Sequence, residues 1–132
     1  MAINLLIVDD SAVMRAMILK IIRMSDLSIG ETHEAANGRE GLDALDQHWI
    51  DLVILDINMP VMGGEEMIDH MLGNPETKDI PVVVVSTEGS ETRIERITKK
   101  GAEFIHKPFT PEIISDAVRN IIEKGADHAG ST

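Results

Sequence analysis

The chain has 132 residues, 43% of them hydrophobic, enough for one domain with a real core and too few for a second. Its formal net charge of -11 argues against general affinity for nucleic acid, which needs a basic footprint. There is no cysteine to form a disulfide, no basic signal-peptide region, and no apolar run near the roughly 20 residues of a membrane span, so a soluble cytoplasmic protein is expected.

The first apolar run, Leu5-Leu6-Ile7-Val8, has the length and composition of a strand buried on both faces and leads into Asp9-Asp10. Ser11 is a good N-cap, and Val13, Met14, Met17, Ile18, Ile21 and Ile22 recur at helical spacing, which predicts a helix from about Ser11 to Met24. Thr32 to Ala35 is a short candidate strand. Asn37-Gly38 breaks the chain before a helix that carries Leu42, Ala44 and Leu45 to about Gln47. A second buried strand, Leu52-Val53-Ile54-Leu55, ends at Asp56. After the loop Asn58-Met59-Pro60 and Gly63-Gly64, Met67, Ile68, Met71 and Leu72 mark a helix that stops near Gly73-Asn74-Pro75. Pro81 opens Val82 to Val85, the clearest buried strand, and Ser86 to Ser90 is a loop. A helix from about Glu91 to Lys100 is closed by Gly101. Phe104-Ile105-His106 is a short fifth strand. Thr110 and Pro111 then start a helix carrying Ile113, Ile114, Ala117, Val118, Ile121 and Ile122, with Gly125 past its end. The domain is placed at 1–125, with a disordered tail at 126–132.

Five strands alternating with five helices predict a doubly wound α/β domain with a parallel sheet, whose ligands bind beyond the carboxyl ends of the strands. Asp9, Asp10 and Asp56 fall at that edge. If the first and third strands are neighbours, the three carboxylates converge. Unit charges about 4 Å apart repel by roughly 4 kcal/mol in a partly screened setting. Such a cluster suits a hard divalent cation, which takes oxygen ligands. The five histidines, His33, His48, His70, His106 and His128, show no metal-ligand spacing and are assigned no role.

Asp9-Asp10-Ser11, Asp56 with Asn58-Met59-Pro60 and Gly64, Ser86 after the fourth strand, and Lys107-Pro108-Phe109 after the fifth resemble the receiver domain of two-component response regulators. The resemblance runs from about Asn4 to Lys124. With no output domain following, and with Ser11 and Arg15 in place, it leans toward a single-domain regulator of the chemotaxis type. It implies a flavodoxin-like (β/α)5 fold with strand order 2-1-3-4-5 and a phosphoacceptor rather than an ordinary enzyme. Asp56 would take a phosphoryl group from the phosphohistidine of a histidine kinase or histidine phosphotransfer protein. Mg²⁺ or Mn²⁺ would be held by Asp10, Asp56 and the Asn58 carbonyl, with Asp9 acting through a bound water. Lys107 and the Ser86 hydroxyl would contact phosphoryl oxygens, Ser86 and Phe104 would form the switch, and Asn58 and Glu88 would tune hydrolysis. The resemblance also implies a cis Lys107-Pro108 bond, and a downstream protein target on the fourth helix, fifth strand and fifth helix.

The sequence departs from the family at two places. Gly63 stands where the family usually has Asp, and Gly101 to Lys107 is one residue shorter than usual, so only counting back from Lys107 puts Phe104 at the switch position. Four of the 12 basic residues, Arg93, Arg96, Lys99 and Lys100, crowd the fourth helix, and Arg93, Arg96 and Lys100 share one face. That face is either a solvated surface or a docking stripe for an acidic target. Two other classes stay open. A phosphatase of the haloacid dehalogenase type would need an acid two residues after the nucleophile, where Asn58 stands, and a pseudo-receiver would keep the fold as a pure binding module.

Overall fold

The computed structural model describes residues 2–130. Its order is β1 (Ile3–Val8), α1 (Ala12–Met24), β2 (Ile29–Ala35), α2 (Gly38–Gln47), β3 (Leu52–Leu55), α3 (Gly64–Leu72), β4 (Val82–Ser86), α4 (Glu91–Lys99), β5 (Glu103–His106) and α5 (Pro111–Gly130). The five strands form one parallel sheet in the order β2-β1-β3-β4-β5. This is the doubly wound arrangement expected from the alternation of runs.

The three central strands are buried on both faces, which explains why they read as continuous apolar runs. Their side chains alternate between two cores. Leu6, Val8, Val53, Leu55, Val82 and Val84 pack with Met67, Ile68 and Ile97 from α3 and α4. Leu5, Ile7, Leu52, Ile54, Val83 and Val85 face Ile18, Ile22, Ile114 and Val118 from α1 and α5. Side-chain caps start four of the helices: Ser11 accepts from Met14 N, Asn37 from Glu40 N, Ser90 from Arg93 N, and Thr110 from Ile113 N. The cap at α3 is Gly63, which offers no side-chain bond. A Cβ there would stand 2.9 Å from the Ile57 carbonyl oxygen, so the acid usual in the family would not fit this loop as it stands.

Several boundaries differ from the sequence reading, β1 and β5 by starting at Ile3 and Glu103 and α4 by ending at Lys99, and three others bear on the fold. β2 begins at Ile29 rather than Thr32, because as an edge strand it mixes exposed and half-buried residues and lacks a clean apolar pattern. β4 extends one residue further and takes in Ser86. α5 continues through Gly125, where an interior glycine costs about 1 kcal/mol relative to alanine without ending the helix. The tail expected at 126–132 in part carries the last turns of α5, and at 131–132 lies outside the described residues. Among the described residues, no helix is long and apolar enough to cross a membrane.

Candidate metal centre

β1 and β3 are adjacent and in register, with Val8 opposite Leu55, so the next residue of each strand brings Asp9 and Asp56 together at the carboxyl edge. The Asp56 amide donates to the Val8 carbonyl at 2.9 Å, and the Asp9 amide to the Ala35 carbonyl at 3.0 Å. Asp9 and Asp56 are buried, whereas Asp10 faces solvent. One carboxylate oxygen from each of Asp9, Asp10 and Asp56 lies within 4.8 Å of the others. Two unit charges at that separation repel by roughly 3.5 kcal/mol at an effective dielectric of about 20.

Lys107 is the local counter-charge. Its Nζ lies 3.1 Å from Asp9 Oδ2 and 3.5 Å from Asp56 Oδ2. β5 aims it there, since the Lys107 amide donates to the Ser86 carbonyl at 2.9 Å. The Lys107-Pro108 bond is cis, as expected. Burial raises the Asp56 carboxyl above the ordinary range, Lys107 and the Ile57 N–H pull it back, Asp9 raises it, and the Ser86 hydroxyl lowers it. Three ionised carboxylates and one ammonium leave two negative charges around an all-oxygen cluster. That donor set fits a hard dication such as Mg²⁺ or Mn²⁺, and exposed Asp10 leaves room for the waters that Mg²⁺ retains. A surface concavity of about 730 Å³, lined by Leu45, Trp49, Pro75 and Pro81 among others, opens at the other end of the strands, away from the carboxylates.

Ser86 is fully buried, and its hydroxyl accepts from the Glu88 amide at 3.1 Å. Phe104 shares the sheet face of Ser86 but pairs across the strands with Val84, while His106 is the residue opposite Ser86. The Phe104 ring is half-buried against the α3/α4 core and meets the His106 ring edge-on at 4.9 Å. The shortened segment before Lys107 turns at Gly101, whose φ of 102° suits glycine.

The structure adds contacts that sequence reading did not supply. Arg15 donates from Nη1 to the Asp9 carbonyl at 2.5 Å and from Nε to Glu34 at 2.9 Å, buttressing the acidic loop from α1. Arg93 reaches both hydrolysis-tuning candidates, donating from Nη1 to Asn58 Oδ1 at 3.1 Å and to Glu88 Oε1 at 2.6 Å. Bonds from the Ser90 N–H and from Arg93 hold the Glu88 carboxyl below its usual range. The basic face of α4 is not free. Arg96 grips Glu65 of α3 with two bonds, at 2.5 and 2.8 Å, and Lys100 bridges Glu65 at 3.1 Å and Asp69 at 2.7 Å. The i, i+4 spacing of Glu65 and Asp69 was the available signal, an acidic stripe matching the basic one.

Comparison with known proteins agrees with this geometry. A family model described as response regulator receiver domain matches residues 5–119. The chain is 31% identical over 125 residues to a chemotaxis protein CheY homolog of Campylobacter jejuni, covering 93% of this chain and 95% of that protein. It is 35% identical over 122 residues to the two-component response regulator ORR3 of Oryza sativa subsp. indica, covering 92% of each. Its fold matches the crystal structure of Vibrio cholerae chemotaxis protein CheY4 with a TM-score of 0.80 at 30% identity, covering 91% of this chain and 98% of that one.

Proposed function

Because the chain belongs to the response regulator receiver domain family, we propose that it is a phosphorylation-controlled switch in which Asp56 accepts a phosphoryl group from a histidine kinase or histidine phosphotransfer protein. The observation that carries this reading is the convergence of Asp9, Asp10 and Asp56 around one oxygen-lined pocket with Lys107 beside them.

In the transfer step an Asp56 carboxylate oxygen attacks phosphorus, the new O–P bond forms as the P–N bond to the donor imidazole breaks, and the imidazole keeps the electron pair. Lys107 sits 3.5 Å from the nucleophile and supplies a fixed positive charge to a phosphoryl oxygen. The Ser86 hydroxyl, whose lone pair accepts from the Glu88 amide, donates its proton to another phosphoryl oxygen. Asp10, Asp56 and the Asn58 backbone carbonyl would hold Mg²⁺ or Mn²⁺ directly, and Asp9 would act on it through a water. The ion, when bound, offsets carboxylate repulsion and the charge on the transferring group. Water then attacks phosphorus, the O–P bond breaks, and Asp56 and phosphate are released. Asn58 and Glu88 tune that step, and Ser86 with Phe104 forms the switch that responds to phosphorylation. Asn58 cannot shuttle a proton as the acid of a haloacid dehalogenase-type phosphatase does, and its side-chain amide oxygen is held by Arg93. The protein is thus a self-modifying phosphoacceptor rather than a turnover enzyme. We place it in the cytoplasm, in a chemotaxis-like relay, with a downstream target docking on α4, β5 and α5.

Incubation with a small phosphodonor such as acetyl phosphate and Mg²⁺, followed by intact mass measurement, is expected to add one phosphoryl group. Asp56→Asn abolishes the adduct while the far-UV spectrum stays native. An adduct that persists in the Asp56→Asn variant, or no adduct on the unaltered chain, overturns the assignment.

A further inference from the structure

Glu31 and His33 stand two residues apart in β2, so both side chains lie on one face of the sheet, and His48 meets them from the C-cap of α2. A carboxylate oxygen and two imidazole nitrogens from these residues lie within 4.8 Å of one another. The His33 and His48 rings lie face to face, centroids 3.8 Å apart and 18° from parallel. His33 Nε2 is buried and has no hydrogen-bond partner, for Glu31 Oε1 at 3.3 Å does not meet hydrogen-bond geometry. A buried nitrogen left in this way has lost its water without gaining a hydrogen bond in return. Unsatisfied groups of this kind call for a specific explanation, a bound ion among them.

The surroundings favour a cation. Beside the rings is a concavity of about 270 Å³ lined by His33, Glu34, Glu40, Asp43, Gln47 and His48. Arg15 pairs with Glu34 on the flank, and Glu34, Glu40 and Asp43 give the concavity three carboxylates beside the uncharged Ala44 and Gln47. The carboxyl end of α2 adds the negative pole of its helix dipole at His48. Two imidazoles and a carboxylate form a nitrogen-rich set that suits Zn²⁺ or a neighbouring late transition ion, with a position left for water. The all-oxygen aspartate pocket suits Mg²⁺ instead. The rings lie face to face, so bringing a nitrogen of each onto one ion requires one ring to turn. His48 is exposed and can turn, while His33 is held in the strand.

We propose that Glu31, His33 and His48 form a second metal site, selective for Zn²⁺ over Mg²⁺, that ties the end of α2 to the edge strand β2. This site is independent of phosphorylation at Asp56. The test is calorimetric titration of zinc chloride into the full chain and into His33→Ala, His48→Gln and Asp10→Asn, each checked by far-UV circular dichroism. Expected is one zinc ion bound through these residues, with affinity lowered by at least roughly tenfold in either histidine variant, since even outer-shell partners act on that scale. Asp10→Asn leaves this affinity unchanged. Co²⁺ as a substitute probe should give intense visible bands that the histidine variants lose. His48→Gln changes an exposed side chain and keeps the fold, so its loss of zinc reads the ligand itself. No zinc binding, binding unaltered in both histidine variants, or loss confined to Asp10→Asn overturns the proposal.

Discussion

Glu65 is the hub of the α3/α4 ion pairs, and its removal should be felt. Its side chain is largely buried and contacts Arg96 at 2.5 Å, Lys100 at 3.1 Å and Arg93 at 3.7 Å. Arg96 first, and then Lys100, lower its carboxyl from 4.5 to about 2. At about 1.36 kcal/mol per pH unit that interval corresponds to roughly 3 kcal/mol. Arg96 is half exposed, however, and exposed pairs contribute only about 0.2–1 kcal/mol each, so water screening cuts the net effect of Glu65→Gln to about 1–2 kcal/mol. Because the folded-state value is depressed, this stability is fully present above pH 4.5 and is lost as pH falls toward 2. Urea unfolding at pH 7 is therefore expected to show the variant's midpoint lower by about 0.5–1 M for a slope near 2 kcal/mol/M. The gap should close as pH falls from 4.5 toward 2, and shrink in about 1 M salt, where the Debye length is only about 3 Å. Equal midpoints at pH 7, or a gap that persists at the acid end, would refute the electrostatic account of this contact.

Other perturbations probe the acidic pocket and its loop. Because Mg²⁺ would bind the folded acidic pocket and not the unfolded chain, Mg²⁺ at about 100 times its dissociation constant should add about 2.7 kcal/mol. A melting temperature unmoved by Mg²⁺, or moved equally in Asp10→Ala, contradicts the metal centre. Val61 is exposed and holds φ at 68°, a conformation unfavourable for a β-branched residue, so Val61→Asn should stabilise by about 1 kcal/mol. A midpoint at or below wild type would show that the loop does not store that strain. At Gly64 a Cβ would fall 2.1 Å from the Asp56 carbonyl oxygen, so Gly64→Ala must shift the loop that carries Asp56. Its expected cost is about 2 kcal/mol or more, with slower phosphorylation, and wild-type values for both would show that the loop yields freely.

What could be read from the sequence depended on whether a feature was local. Asp9 and Asp56 each follow an apolar run, and once parallel neighbours are assumed the register brings them together, as Val8 opposite Leu55 does. Edge strand β2 is only half legible because Ile29, Gly30 and Glu31 carry no alternating signal. The pairing of α4 with α3 was present as two spacings, Glu65 with Asp69 and Arg93 with Arg96 and Lys100, but spacing on one helix does not say which helix it faces. His33 and His48 are the extreme case, because their separation along the chain leaves no motif at all. Their meeting follows from the fold. β2 climbs toward the carboxyl edge, and in a parallel unit α2 must descend again. Ten helical residues descend about 15 Å at about 1.5 Å each. The four steps from Ala35 back to Glu31 span about 13 Å at about 3.3 Å each. The residue that ends α2 therefore arrives level with Glu31 and His33, and a helix one turn longer or shorter would have carried His48 past them.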